Sequence, residues 1–309
     1  MSSHNKKIIT KSGMVSIVGR PNVGKSTLLN RLVGEKVTIV SKVPQTTRNQ
    51  IRGIYTDERG QIVFIDTPGL HISKDKLDQF MNESADACAR DADCIIHLVD
   101  TMDRVGVEEE EIVRRLAHLD IPIILGLNKV DLNAKHMDEY IKLWEQVKGK
   151  PVTGMKNFTL LPVSGKTGVN VGQLYDIIFG YLPEGPALYP EEMVCDVPQR
   201  MAIADIIREK LFLILREEIP HSLGVVVDSQ RPVKGNTLRI EATVWVEKES
   251  QKKIVVGKGG DILKRAGTLA REELQLLLEK KIFLDLFVKV RKNWRDNNDT
   301  LTMMGYQLM

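Results

Sequence analysis

Cysteine is scarce, with three in 309 residues. Cys88, Cys94 and Cys195 show no CxxC spacing, which argues against a disulfide framework and against a zinc site. The six histidines are scattered and none forms an HxxxH pair; His97 lies inside an apolar run and reads as a packed core residue rather than a ligand. No apolar stretch approaches the roughly 18 residues of a membrane span. The opening "MSSHNKKIITKSG" lacks the apolar segment of a secretory signal, and the closing "GYQLM" lacks a cysteine for prenylation. A cytosolic, monomeric protein is expected.

What is present is charge, unevenly placed. Residues 1–198 carry 24 Lys+Arg against 26 Asp+Glu, while residues 199–309 carry 20 against 15. A basic C-terminal part hints at a polyanionic partner there. At about 150 residues per domain, the length suggests two domains.

The first part alternates short apolar runs with helix-like stretches. "MVSIV" (14–18), "QIVFI" (61–65), "CIIHLV" (94–99), "IPIILGL" (121–127) and "FTLLPV" (158–163) are rich in Val, Ile and Leu with little polar alternation. Such runs suit strands covered on both faces, hence a mainly parallel sheet. Helices are predicted near 25–33, 75–90, 107–118, 135–147 and 171–180, giving a doubly wound α/β domain over residues 11–182. "QIRGIYTD" (50–57) and the run after "ERG" read as a hairpin with one antiparallel edge strand. "LPEGPALYPEEMVCDVPQR" holds four prolines and reads as a linker over 183–199, a wandering loop of one large domain being the alternative. Residues 200–309 read as an α+β domain: a helix over 199–219, strands at 224–230 and 237–247, then a strand in "KKIVVG", a glycine turn and two helices, and a strand at 282–292.

"GRPNVGKST" (19–27) follows the first strand and opens a helix. Gly19 and Gly24 let main-chain N–H groups point into a concavity, and the helix beginning at Lys25 adds the partial positive charge of its N-terminus. Lys25 can reach the β- and γ-phosphates of a nucleotide and Ser26 can place its hydroxyl on Mg2+. The loop as a whole, Gly19, Arg20, Pro21, Asn22, Val23, Gly24, Lys25, Ser26 and Thr27, is a candidate phosphate cradle.

Three further segments end strands in the same domain. "DTPG" supplies Asp66, Thr67, Pro68 and Gly69: Asp66 can hold Mg2+ through a water, and the Gly69 amide can approach a γ-phosphate. "NKVD" supplies Asn128, Lys129 and Asp131. The Asp131 carboxylate can accept from the ring N–H and exocyclic amine of guanine; adenine would leave it unpaired, a cost of about 1–3 kcal/mol. The stem of Lys129 can lie over the purine face, and Ser164, Gly165 and Lys166 can close over the base. Open α/β sheets bind ligands at the carboxyl ends of their strands. Together the four motifs point to a guanine nucleotide.

This pattern resembles the translation-factor-related class of small GTPases with a Ras-like fold. The resemblance places a first switch at Gln45, Thr46, Thr47 and Arg48, with Thr47 matching the Mg2+-binding threonine and Thr46 a rival one residue away. Ras-like enzymes carry a water-orienting glutamine after the DxxG glycine; here Leu70 stands there, which implies slow intrinsic turnover. Asn22 matches the residue that helps hold K+ beside the phosphates in potassium-stimulated relatives, implying K+ as a further cofactor.

In the basic part, Gly257, Lys258, Gly259 and Gly260 form a GxxG turn, with Lys264 and Arg265 on the helix after it. KH modules clamp about four nucleotides with such a loop. The order of elements resembles a type II KH domain, from which the extra glycine at 259 departs. Taken with "PQTTR", "DTPGL", "LPEGPALYPE" and the terminal "GY", the chain from about residue 14 to 306 resembles the Era family of ribosome-assembly GTPases. That resemblance implies GTP hydrolysis, binding of the 3′ end of 16S rRNA, a role in 30S subunit maturation, and peripheral contact with the inner membrane. A double-GTPase ribosome factor would need a second GxxxxGK[ST], which the sequence lacks. An RNA-binding adaptor using GTP only as a structural ligand is the other alternative, and Leu70 keeps it open.

Overall fold

The computed structural model of the protein describes residues 10–41, 50–67, 76–215 and 219–304. They separate into two compact units. The first takes in residues 10–37, 50–67 and 82–196; the second takes in 38–41, 76–81 and the described residues from Val197 onward.

In the first unit the elements run β1 (Lys11–Val18), α1 (Lys25–Val33), β2 (Ile51–Asp57), β3 (Gly60–Asp66), α2 (Lys76–Arg90, of which residues 76–81 are assigned to the second unit), β4 (Cys94–Asp100), α3 (Val107–Ala117), β5 (Ile123–Asn128), α4 (Met137–Lys148), β6 (Phe158–Pro162) and α5 (Val171–Tyr181). One six-stranded sheet is formed, in the order β2-β3-β1-β4-β5-β6. Every pairing is parallel except β2 with β3, as the hairpin reading expects. Asp57 shapes the hairpin turn by accepting the Arg59 N–H at 2.8 Å. β3 and β4 are buried at every position, so neither shows alternation. The parallel register sets Ile17 opposite Asp66 and Asp100 opposite Asn128, which brings the strands' carboxyl ends to one edge of the sheet.

The stretch read as a linker is tied to this unit as far as Asp196. Gln61, fully buried in β3, accepts the N–H groups of Leu188 and Tyr189 at 2.8 Å each and donates to Tyr189 O at 2.9 Å. Ile54 N–H donates to Val194 O at 2.9 Å, and Arg52 pairs with Asp196 at 3.0 Å. Prolines deprive the segment of internal ladders, so its remaining backbone groups find partners on β2 and β3.

The second unit contains α6 (Gln199–Ile214), the single turn α7 (Ile219–Ser222), β7 (Gly224–Val233), β8 (Thr237–Val246), α8 (Glu249–Val256), α9 (Asp261–Leu278), β9 (Lys281–Val290) and α10 (Asn298–Met303). Its sheet runs β7-β8-β9, with β7 antiparallel and β9 parallel to β8. The parallel pair needs a crossover, which α8 and α9 provide. α6 and α9 cover one face, burying Ile203, Ile207, Leu211, Ala266, Ala270 and Leu274 against Ile240, Ala242 and Val244.

Three local readings are corrected. "KKIVVG" is the end of helix α8, not a strand: the Gln251 side chain accepts the Glu247 and Lys248 N–H groups at 2.9 and 3.0 Å, starting a helix that buries Val255. One helix therefore precedes the glycine turn and one follows it. The helix read over 199–219 ends at Ile214, where Leu215 turns to extended backbone.

Candidate nucleotide and RNA sites

The loop from Gly19 to Gly24 leaves β1 and enters α1 at the carboxyl edge of the sheet. Gly24 has φ 101°, and a Cβ there would meet Asn128 Nδ2 at 2.5 Å, so both conformation and contact require glycine. Lys25 is 7 % exposed and its ammonium donates to the carbonyls of Gly19 and Arg20 at 2.8 Å each. Burial lowers its pKa from 10.5 to about 8, against the opposing pull of Asp66 and Glu109. A cation held in its own loop, short of full hydration, is poised to exchange carbonyl partners for phosphate oxygens.

Ser26 and Asp66 meet here: the serine hydroxyl donates to Asp66 Oδ2 at 2.8 Å. Thr67 is fully buried and donates to Ile17 O at 2.9 Å, which fixes the end of β3 against β1. Thr67 thus has its hydroxyl spent on the backbone. Gln45, Thr46, Thr47, Arg48, Pro68, Gly69 and Leu70 lie outside the described residues.

The residues that the sequence offers as candidates for reading a base lie close together. Asn128 donates to Val23 O at 2.7 Å and accepts Gly165 N–H at 3.1 Å, joining three motifs through one side chain. Lys129, at φ 65°, donates to Asn22 O at 3.0 Å and pairs with Asp100 at 2.5 Å. The Ser164 hydroxyl donates to Asp131 Oδ1 at 2.6 Å and accepts Thr167 N–H at 3.0 Å, so the carboxylate is aimed before any base arrives. Arg31 of α1 donates to Lys166 O at 2.6 Å, holding the loop of Ser164, Gly165 and Lys166 against the helix that follows Gly24.

Arg20 is the exception. Its guanidinium turns to Glu109 of α3, with Nε 2.6 Å from Oε2, so only its main chain faces the candidate cradle. Burial works to raise the Glu109 carboxyl, but His97 and Arg20 outweigh it and hold it below the usual carboxylate range. His97 is a fully buried core residue, as read from the sequence. Sequence reasoning missed Glu109 and Asp100. Glu109 hides in "VEEEE", where nothing marks one glutamate as buried.

In the second unit the GxxG turn joins α8 to α9. Gly257, Gly259 and Gly260 have φ of 78°, 63° and 83°, all in the left-handed region, so the additional glycine at 259 serves the backbone directly. Lys258 is exposed at its tip. Behind the turn a groove of about 390 Å³ runs between α9 and β9, lined by Leu263, Lys264, Gly267, Arg271, Leu284 and Leu286 among others. Lys264, Gly267 and Arg271 share one helix face by their spacing. Arg265 is exposed but does not line this groove. Arg271 was missed, though its place seven residues after Lys264 signals it.

The chain is similar to known proteins over nearly its whole length. Residues 14–129 match a family described as 50S ribosome-binding GTPase, and residues 218–295 match the KH domain family. It is 44 % identical to GTPase Era of Halothermothrix orenii over 96 % of this chain and 99 % of that protein. To GTPase Era of a Geobacter species it is 46 % identical, covering 96 % and 98 %. Among solved structures, an Era variant from Aquifex aeolicus bound to GDP·AlF4− superposes with a TM-score of 0.89 at 37 % identity, over 97 % of this chain and all of that one. Era in complex with MgGDPNP and nucleotides 1506–1542 of 16S ribosomal RNA gives 0.90, also at 37 % identity and with the same coverage.

Proposed function

Because the chain belongs to the Era family of GTPases, we propose that it is a GTP-driven switch that binds the 3′ end of 16S rRNA during 30S subunit maturation. It is a GTPase with a C-terminal KH domain. The observation that carries the nucleotide assignment is the joint placement of Lys25, the Ser26–Asp66 pair and the Asp131–Ser164 pair along one edge of the first sheet. A buried ammonium favours phosphates, and an ionised carboxylate that only accepts favours guanine.

Mg2+ suits the Ser26–Asp66 pair, since both offer hard oxygen donors and this ion takes few protein ligands. Ser26 would bind it directly, Asp66 through a water, and Thr47 would complete the set. When bound, the ion screens the charge of the phosphates. K+ beside Asn22 is proposed from the family pattern together with Leu70; equal turnover in KCl and NaCl would remove it. RNA would enter the groove between α9 and β9, its backbone on the glycine turn with Lys258 and Lys264. The wider role in the 30S subunit, a cytoplasmic location and peripheral membrane contact rest on family membership alone.

A titration with Mg2+ present should show strong preference for GTP over ATP; parity would overturn the base assignment. RNA ending in the small-subunit 3′ sequence should stimulate turnover. Tight GTP binding without turnover, with or without RNA, would favour the adaptor reading.

A further inference from the structure

The Arg20 guanidinium sits in a polar network beneath the phosphate loop. Nε lies 2.6 Å from Glu109 Oε2, and Nη2 donates to the Tyr140 hydroxyl at 2.9 Å. That hydroxyl lies 2.9 Å from the carbonyls of both Asp100 and Asp103. Glu109 has no exposed surface, and its other oxygen lies 2.7 Å from His97 Nε2. The Trp144 indole, which can only donate, sits 3.1 Å from His97 Nδ1. Nδ1 must therefore accept, the imidazole proton resides on Nε2, and Glu109 receives it. Both carboxylate oxygens are thus engaged, one by the His97 ring and one by Arg20.

A buried ion pair is seldom more stabilising than apolar packing of the same volume, so its use here calls for another role. Among the described residues, holds from outside the loop bear on residues 23, 22 and 20, besides the Ser26–Asp66 pair. Asn128 binds Val23 O and Lys129 binds Asn22 O, both from the base-reading motif. The third hold is the Arg20 side chain, and it comes from α3 and α4. Lys25 donates to Arg20 O, so a shift of that peptide shifts the ammonium as well.

We propose that Arg20 and Glu109 act as a positioning pair that presets the phosphate loop for the common phosphates of GTP and GDP, with Arg20 holding its own backbone rather than touching the nucleotide. This rests on the reading of residues 19–27 as the phosphate cradle. Two properties follow. Loss of the pair weakens GTP and GDP alike, and it leaves the choice of base unchanged, because Asp131 and Ser164 remain in place.

The test uses the full-length protein with Arg20→Ala, Glu109→Gln, the double variant, Arg20→Lys and, as a control, Lys25→Ala. Dissociation rates of fluorescent GDP and GTP analogues, turnover at saturating GTP and the melting temperature are measured for each. Arg20→Ala and Glu109→Gln should each release both nucleotides about tenfold faster, and the double variant no faster than either, as for residues acting as one unit. The preference for guanine should not change, because Asp131 and Ser164 remain in place, and Arg20→Lys should recover part of the retention. Unchanged release in Arg20→Ala, with binding lost in Lys25→Ala, overturns the proposal and leaves the cradle assignment intact. Reduced saturated turnover at unchanged affinity also overturns it, by showing that the guanidinium reaches the phosphates. Retention of tight binding by Lys25→Ala overturns the cradle assignment beneath it. If Glu109→Gln fails to fold, Arg20→Ala decides alone, since that side chain lies at the rim with 16 % exposure.

Discussion

At the scale of single residues, Lys25 carries a pH dependence whose sign can be worked out. Burial lowers its pKa to about 8, so the free protein loses this charge well before an exposed lysine would. Bound phosphates favour the ammonium, so nucleotide binding takes up a proton above that pH. Calorimetric titration at about pH 8.5 in two buffers of different ionisation enthalpy should report net proton uptake, and affinity should fall as pH rises further. The same shift makes the folded nucleotide-free protein bind fewer protons than the unfolded chain between pH 8 and 10.5, so this group's contribution to stability rises across that window. Asp131 gives a second outcome at this scale. Ser164 donates to one oxygen and leaves the carboxylate further lone pairs for the two donors of a guanine. Asp131→Asn replaces an acceptor with a group that can donate, so affinity should move from guanine to xanthine nucleotides by about two orders of magnitude or more. Competition binding with GTP and XTP checks it.

Elements bring different consequences. The turn between α8 and α9 is built from three left-handed glycines, and a Cβ at 257 would lie 2.1 Å from the Asp261 carboxylate. Changing Gly257 and Gly260 to Asp adds like charge where an RNA backbone would pass. RNA affinity should drop at least tenfold while GTP affinity stays constant, as gel-shift and nucleotide titrations would reveal. Undiminished RNA binding would move the RNA site elsewhere. In the first unit, Gln61 is the clasp for the segment from Leu182 to Asp196. Gln61→Leu strands the Leu188 and Tyr189 N–H groups and should cost about 2–3 kcal/mol in urea unfolding. The face of β4 and β5 that carries Ile95, Val99, Ile123, Leu125 and Leu127 needs no such clasp, because apolar packing from α3 and α4 covers it.

On the scale of the whole molecule, each unit has its own core, one around the six-stranded sheet and one around β7-β8-β9. Nucleotide should therefore raise the unfolding temperature of one calorimetric transition and RNA that of another. A ligand at a hundred times its Kd adds about 2.7 kcal/mol to the state that binds it. A single transition displaced equally by both ligands would indicate one cooperative unit instead.

Short contiguous signals are the easiest to read, and the GTPase family they point to is the one the chain belongs to. "GRPNVGKST", "DTPG", "NKVD" and "VSGKTG" declare their chemistry because one backbone turn must serve one group of ligand atoms, and that fixes local spacing. Covered strands were legible as unbroken apolar runs. "KKIVVG" misled because a short apolar run suits helix and strand equally, and only the Gln251 cap and the crossover to β9 settle it. The proline-rich stretch looked like a tether since its partners, Gln61 and Arg52, lie over a hundred residues away. Arg20 and Glu109 are 89 residues apart. No pattern in "VEEEE" distinguishes the glutamate that points inward. The sequence by itself determined the nucleotide chemistry, the sheet and the order of the domains, because those follow from local spacing and periodicity. Which side of the phosphate loop Arg20 serves, and what grips the segment after α5, depended on contacts between distant residues, which only the folded chain brings within hydrogen-bonding reach.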